Sequence, residues 1–267
     1  MVCAVFLLGG CSEPPGEHEW HQGRELLARG RAAEAIAPLR RASELLATNA
    51  AVAARVLNDL GLAYHQSGDT ESARRAYQSA INADINLFAA RYNLGCLLLE
   101  EGDAAGAVRE LAAYVAQRPD DPRGWVRLGS ARLRLGQVGA AAEAFQKAGE
   151  RATDAQVQAE ALNGAAICFL RQGNTNQARV FLEAAAKLRP GWPPAVFNLA
   201  VLTEQTGDLP GALAYYQSWL ESAPADHPQR LAVADHLREL AVALQPALAE
   251  GRAGAAEQYR RLTNLFA

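Results

Sequence analysis

Cysteine is scarce in this chain. Cys3, Cys11, Cys96 and Cys168 are the only four in 267 residues, with no C-x-x-C pair and no cysteine–histidine cluster at zinc spacing. A disulfide framework and a zinc finger are therefore excluded. His18 and His21 lie three residues apart without a third ligand, so no metal site is assigned. Aromatic residues make up 7%, too few to build a core from rings. An excess of basic charge is also missing: 26 lysines and arginines stand against 29 acidic residues, a net charge of −3. A protein that grips nucleic acid through its phosphates needs a basic surface, so no nucleic-acid partner is expected. No apolar run approaches the ~18 residues of a spanning helix. The motifs G-x-x-x-x-G-K-[ST], H-E-x-x-H and G-x-S-x-G do not occur. No catalytic or cofactor-binding residue is assigned, and no enzyme is expected.

What is abundant is alanine, at 57 residues. Alanine is the strongest helix former. With 50% apolar and 21% charged residues, the composition is that of a globular all-α protein. Glycine recurs at Gly30, Gly68, Gly102, Gly136, Gly173 and Gly207, at intervals of 38, 34, 34, 37 and 34 residues. Five residues beyond each stands alanine: Ala35, Ala73, Ala107, Ala141, Ala178 and Ala212. Nine beyond stands a large apolar residue: Leu39, Tyr77, Leu111, Phe145, Leu182 and Tyr216. Seventeen beyond, Pro119, Pro190 and Pro224 follow three of the six. Seven before the first four glycines stand Gly23, Gly61, Gly95 and Gly129, the last three preceded by leucine.

These positions resemble the tetratricopeptide repeat, a 34-residue helix–turn–helix unit. The best copies are NDLGLAYHQSGDTESARRAYQSA (58–80), YNLGCLLLEEGDAAGAVRELAAY (92–114) and WVRLGSARLRLGQVGAAAEAFQKA (125–148), and the likeness runs over about 17–225. It implies an all-α, right-handed superhelical solenoid of about six hairpins over 18–226, closed by C-terminal capping helices over 227–267. One capping helix reads as His227–Leu244, apolar at Leu231, Ala234, Leu237 and Leu240/Ala241; a final one reads as about Pro246–Phe266.

Local chemistry supports the unit. Each turn glycine ends a first helix with a left-handed φ. Asp69, Asp103, Asn174 and Asp208 follow directly and cap the second helix. Small residues, such as Gly61 against Ala73, let the two helices approach, and the large residue at plus nine fills the space beside them. Proline at plus seventeen stops the second helix. The longer intervals add about a helical turn, around 46–50 and 151–154. Arg132 stands where other copies are apolar, and its head is expected in water. Cys96 and Cys168 read as small core residues.

The N-terminus carries a second resemblance. Val2–Leu8 leads into Leu8-Gly9-Gly10-Cys11, similar to a bacterial lipobox, in which the cysteine is lipidated and becomes the mature N-terminus. Residues 1–11 then read as a truncated lipoprotein signal whose start lies upstream, and 12–17 as a tether. Ser12 after the cysteine implies the outer membrane. An ordinary hydrophobic N-terminus on a cytoplasmic protein is the alternative.

In the tetratricopeptide family the first helices line the binding face. Carried onto this chain, that face includes Asn58, Tyr92, Asn93, Arg123, Val126, Arg127, Arg134, Asn163, Arg171, Phe197 and Asn198. Amides would bind a peptide backbone, Tyr92 and Phe197 would anchor side chains, and Arg123 with Arg127, one turn apart, would grip a carboxylate. Asn93, Arg123 and Arg127 also resemble part of a carboxylate clamp, but Asn58 and Leu62 occupy the places of its lysine and second asparagine. The expected function is a non-enzymatic interaction scaffold for a protein or peptide partner. It would be lipid-anchored at Cys11 in the bacterial cell envelope, facing the periplasm. A cytoplasmic adaptor without lipid, or a non-catalytic subunit of an envelope enzyme or secretion complex, remains open.

Overall fold

A computed structural model describes residues 15–249, with side chains through Leu244. The lipobox with Cys11 and everything from residue 250 onward lie outside the described residues. Among those described are thirteen helices and no strand, the all-α repeat fold expected. The helices are α1 (Glu17–Ala28), α2 (Ala32–Leu45), α3 (Ala50–Gln66), α4 (Thr70–Ala83), α5 (Phe88–Glu100), α6 (Ala104–Gln117), α7 (Pro122–Arg134), α8 (Val138–Arg151), α9 (Ala155–Arg171), α10 (Thr175–Leu188), α11 (Pro193–Gln205), α12 (Leu209–Ser222) and α13 (Arg230–Ala249). The first twelve pack in sequential pairs as six hairpins. They form two compact units divided between Pro119 and Asp120, with α1–α6 in the first and α7–α13 in the second.

The turn chemistry is as the spacing requires. All six turn glycines have φ between 71° and 87°, a region costly for any residue with a Cβ. Asp69, Asp103, Asn174 and Asp208 each accept a hydrogen bond from a backbone N–H three residues on, at 2.9–3.2 Å. Helices α6, α10 and α12 end two residues before Pro119, Pro190 and Pro224. In α2, however, Pro38 is carried inside the helix.

The core follows the repeat. The alanines at plus five are all 0% exposed, and the large residues at plus nine are buried. Burying one such large side chain stabilises by about 1.5–3 kcal/mol. A Cβ on the glycine seven before the turn would run first into this large residue. A Cβ on Gly61 would lie 2.6 Å from the Tyr77 ring, and one on Gly95 2.6 Å from Leu111. The methyl-free backbone is therefore a seat for the plus-nine side chain.

The extra helical turn appears beside the longer intervals, while two expectations, for Arg132 and for the C-terminus, are corrected. The inserted residues lengthen α3 and α9 to 17 residues each, against 13 in α5, α7 and α11, and Asn49 and Asp154 cap the longer helices. Arg132 is half-buried, and its guanidinium donates to the Ala140 carbonyl at 3.1 Å. An arginine with five donors can reach a backbone carbonyl that has a second lone pair to accept with. At the C-terminus, α13 continues through Pro246 to Ala249, where a break at Pro246 was expected. Its buried stripe is Val233, Leu237, Leu240 and Leu244, while Leu231 is 81% exposed.

Candidate functional site

Within each unit, first helices of neighbouring hairpins lie side by side: α1 against α3 and α3 against α5 in one, α7 against α9 in the other. The residues expected on the binding face meet along these contacts. In the first unit, Asn93 Nδ2 of α5 donates to Asn58 Oδ1 of α3 at 3.0 Å. Near it, the His65 imidazole on α3 meets the Glu100 carboxylate on α5 at 2.7 Å. Tyr92 is half-buried with its ring 5.1 Å from that of Tyr114. Cys96 lies half-buried on the same helix.

Asp59, next to Asn58, anchors α1. It accepts a hydrogen bond from Trp20 Nε1 at 2.8 Å, and the Arg24 guanidinium lies 3.9 Å away and over the Trp20 ring. Burial holds the Asp59 carboxyl above its ordinary pKa, although the Trp20 hydrogen bond and the Arg24 charge oppose the shift. Sequence reading missed the role of Trp20, because α1 is the loosest of the copies.

In the second unit the asparagine pair recurs. Asn198 Nδ2 of α11 donates to Asn163 Oδ1 of α9 at 2.8 Å. Arg123, Arg127 and Arg134 are exposed on α7. Arg171 on α9 sends Nη1 to the Leu133 carbonyl at 3.0 Å, satisfying the C-terminal end of α7 where a cation is favoured. Val126, expected on the face, instead lies in the core at 4% exposure, packed with Phe145, Val157 and Cys168. Its position faces α8 and α9 because the arginines on either side take the solvent. Burial pushes the Cys168 thiol up to about 11, which suits an inert core residue. Phe197 is half-buried against the rings of Trp219 and Tyr216, 5.7 and 6.1 Å away. The clamp-like set divides, with Asn93 in the first unit and Arg123 and Arg127 in the second.

Three features had no sequence signal. Glu204 on α11 accepts from Tyr216 Oη at 2.9 Å and meets His236 Nε2 of α13 at 2.9 and 3.0 Å, so one carboxylate joins three helices. Burial, then the Glu204 contact, raises the Tyr216 phenol pKa. An apolar cleft of about 450 Å³ opens among α8, α9 and α10 over Phe145, Phe169 and Phe181. Another, of about 670 Å³, lies between α12 and α13 beside Leu220, Leu231 and Leu237. Among the described residues no group of three or more metal-ligating side chains occurs, and no helix is long and apolar enough to cross a membrane.

The repeat architecture agrees with comparison to known proteins. Tetratricopeptide repeat profiles match residues 21–86, 92–155 and 169–235, and the chain belongs to the tetratricopeptide repeat family. It is a protein-interaction scaffold of that family. It is 31% identical over 154 residues to the cytochrome c-type biogenesis protein CycH of Rhizobium meliloti (strain 1021), a match covering 56% of this chain and 40% of CycH. The chain spans less than half the length of the curated relatives it matches. Among solved structures, MamA from Desulfovibrio magneticus RS-1 shares the fold with a TM-score of 0.61 and 21% identity, over 68% of this chain and 99% of that one. Pseudomonas aeruginosa PilF shares it with a TM-score of 0.60 and 18% identity, over 79% and 96%.

Proposed function

We propose that this chain is a non-enzymatic adaptor that holds extended protein segments against the first helices of its hairpins. The observation that carries this reading is the asparagine pair spanning neighbouring first helices, present in both units. An amide side chain offers two N–H donors and two acceptor lone pairs. Each pair consumes one donor and one acceptor position, Asn58 spends a second donor on Asp59 at 3.5 Å, and the remainder matches the alternating groups of an extended backbone. Tyr92 and Phe197 flank the pairs with partly exposed rings.

The test is photo-crosslinking capture, with a photoreactive residue in place of Tyr92 or Phe197, from an extract of the native host. Specific polypeptides are expected on the probe and lost with Asn93→Ala or Asn198→Ala. Capture that ignores both asparagine variants would overturn the reading.

The lipobox-like start supports an adaptor tethered through lipid on Cys11 to the bacterial envelope, facing the periplasm and favouring the outer membrane. Intact mass of protein made from its native upstream sequence decides this. A chain starting at Cys11 with a diacylglyceryl group and an amide-linked acyl chain supports the tether; an unmodified N-terminus moves the adaptor to the cytoplasm. The likeness to CycH favours a second reading of the partner, as a polypeptide of cytochrome c biogenesis. Unchanged covalent haem in c-type cytochromes of a deletion strain would remove it.

A further inference from the structure

Helix lengths repeat along this chain with a period of three hairpins. Helices α2–α6 have 14, 17, 14, 13 and 14 residues, and α8–α12 have 14, 17, 14, 13 and 14. Side-chain contacts repeat as well, at a constant shift of 105 positions. The Asn58–Asn93 bond becomes Asn163–Asn198. The contact of Arg74 with Glu101 becomes that of Arg179 with Thr206. The ring pair Tyr92–Tyr114 becomes Phe197–Trp219. The cap from Asp103 to the Gly106 N–H becomes one from Asp208 to the Gly211 N–H, at 2.9 Å in both. A turn glycine and a buried alanine recur in every hairpin, and the cap is shared with Asp69 and Asn174, whereas the helix lengths, the asparagine bond, the arginine contact and the ring pair correspond between hairpins three steps apart.

We infer that the chain is a tandem duplication of a three-hairpin module, that each copy carries its own binding face on the same asparagine pair, and that the two faces take segments of opposite charge. Charge is where the copies diverge. Counted from the turn glycines, Glu17, His21, Ala28 and Gln66 in the first copy stand at the positions of Arg123, Arg127, Arg134 and Arg171 in the second. Two positions change the other way, with Arg24 and Arg55 at the places of Ser130 and Glu160. Of these, Arg24 is already directed at Asp59. The first face also carries Glu100, whose exposed carboxylate meets the His65 imidazole at 2.7 Å. The remaining acid of the second face, Glu204, is turned to Tyr216 and His236.

One face therefore leans acidic and its duplicate is basic. An arginine fork meets a carboxylate with two parallel hydrogen bonds, so an acidic extended segment suits the second face. A basic segment suits the first, where carboxylates stand beside the same amides. Like charges set against each face exclude the wrong segment. The chain on this view joins two different segments, an inference that rests on the peptide-binding reading above.

The experiment uses the full chain and two labelled unstructured peptides of one uncharged scaffold, one bearing glutamates and the other lysines, followed by fluorescence anisotropy. The glutamate peptide should weaken about tenfold or more with Arg123→Glu plus Arg127→Glu, and with Asn198→Ala, but keep its affinity in Asn93→Ala. The lysine peptide should weaken about tenfold with Asn93→Ala and with Glu100→Lys, and keep its affinity in the arginine variant. The exposed charge reversals leave the asparagine bonds intact, so they report even where an alanine variant melts. Competition between the two peptides, or loss of both in a single variant, overturns the two-face assignment while peptide binding stands. Binding of neither peptide overturns both.

Discussion

Tyr77 fills the space left by Gly61, and its hydroxyl is buried without a hydrogen-bond partner in the protein. Burial raises its pKa, so the phenol stays neutral. An unpaired buried hydroxyl costs about 1–3 kcal/mol. Tyr77→Phe keeps the ring and removes that cost, so stability to urea should rise by about 1 kcal/mol; a lower unfolding midpoint would show that the hydroxyl is bonded. Asp59 carries the opposite lesson about charge. Its raised pKa means that the folded state favours the protonated carboxyl, so its contribution to stability is present at low pH and lost as pH climbs through the carboxylate range. Asp59→Asn keeps an oxygen for Trp20 and removes the charge. Melts between pH 3 and 7 should show the variant gaining on wild type as pH rises above about 4; a gap constant with pH would place the carboxylate in effective contact with solvent. Neither behaviour was legible in the sequence. Position relative to the turn glycine says which face a residue occupies, but not whether its polar atom finds a mate. Arg132 was misplaced for the same reason, whereas Val126 was assigned to the wrong face and packs in the core with Phe145 and Val157.

At the scale of helices, the sequence was far more informative. Turn glycines, caps and buried alanines are short-range features, each settled within a few residues, and all appeared where the spacing put them. Pairing between hairpins was less visible, although the two asparagine pairs share a 35-residue separation that could have been noticed. The cleft among α8, α9 and α10 shows what local pattern hides. Ala142 and Ala165 line it, and the matching positions near the N-terminus hold Ile36 and Leu60. Filling such a space typically adds about 0.5–2 kcal/mol. Ala142→Ile should therefore raise the thermal midpoint by a few degrees, provided the added carbons enter the cleft. A fall would mean that Phe145 and Phe169 already leave too little room.

For the whole molecule, division between Pro119 and Asp120 makes a direct claim about folding. Repeat stacks gain most of their stability from nearest neighbours, and each unit has three hairpins with its own buried alanines and rings. Residues 1–119 produced alone should keep helical circular dichroism and melt cooperatively; a fragment without a cooperative melt would show that the second unit is needed. Fold class was readable because repetition multiplies a weak signal six times. The partner was not, since a binding face is written in exposed residues that the packing does not constrain. The alanine interior has one more consequence. Large side chains can answer a disturbance by switching rotamers, but a methyl group has no rotamer to switch. Where these helices touch through alanine, as in the buried cluster of Ala159, Ala185 and Ala195, the only compliant coordinate is the backbone itself. Any strain from a bound segment must then travel as rigid sliding of whole helices, so it would register as altered spacing between hairpins, with their interiors unchanged.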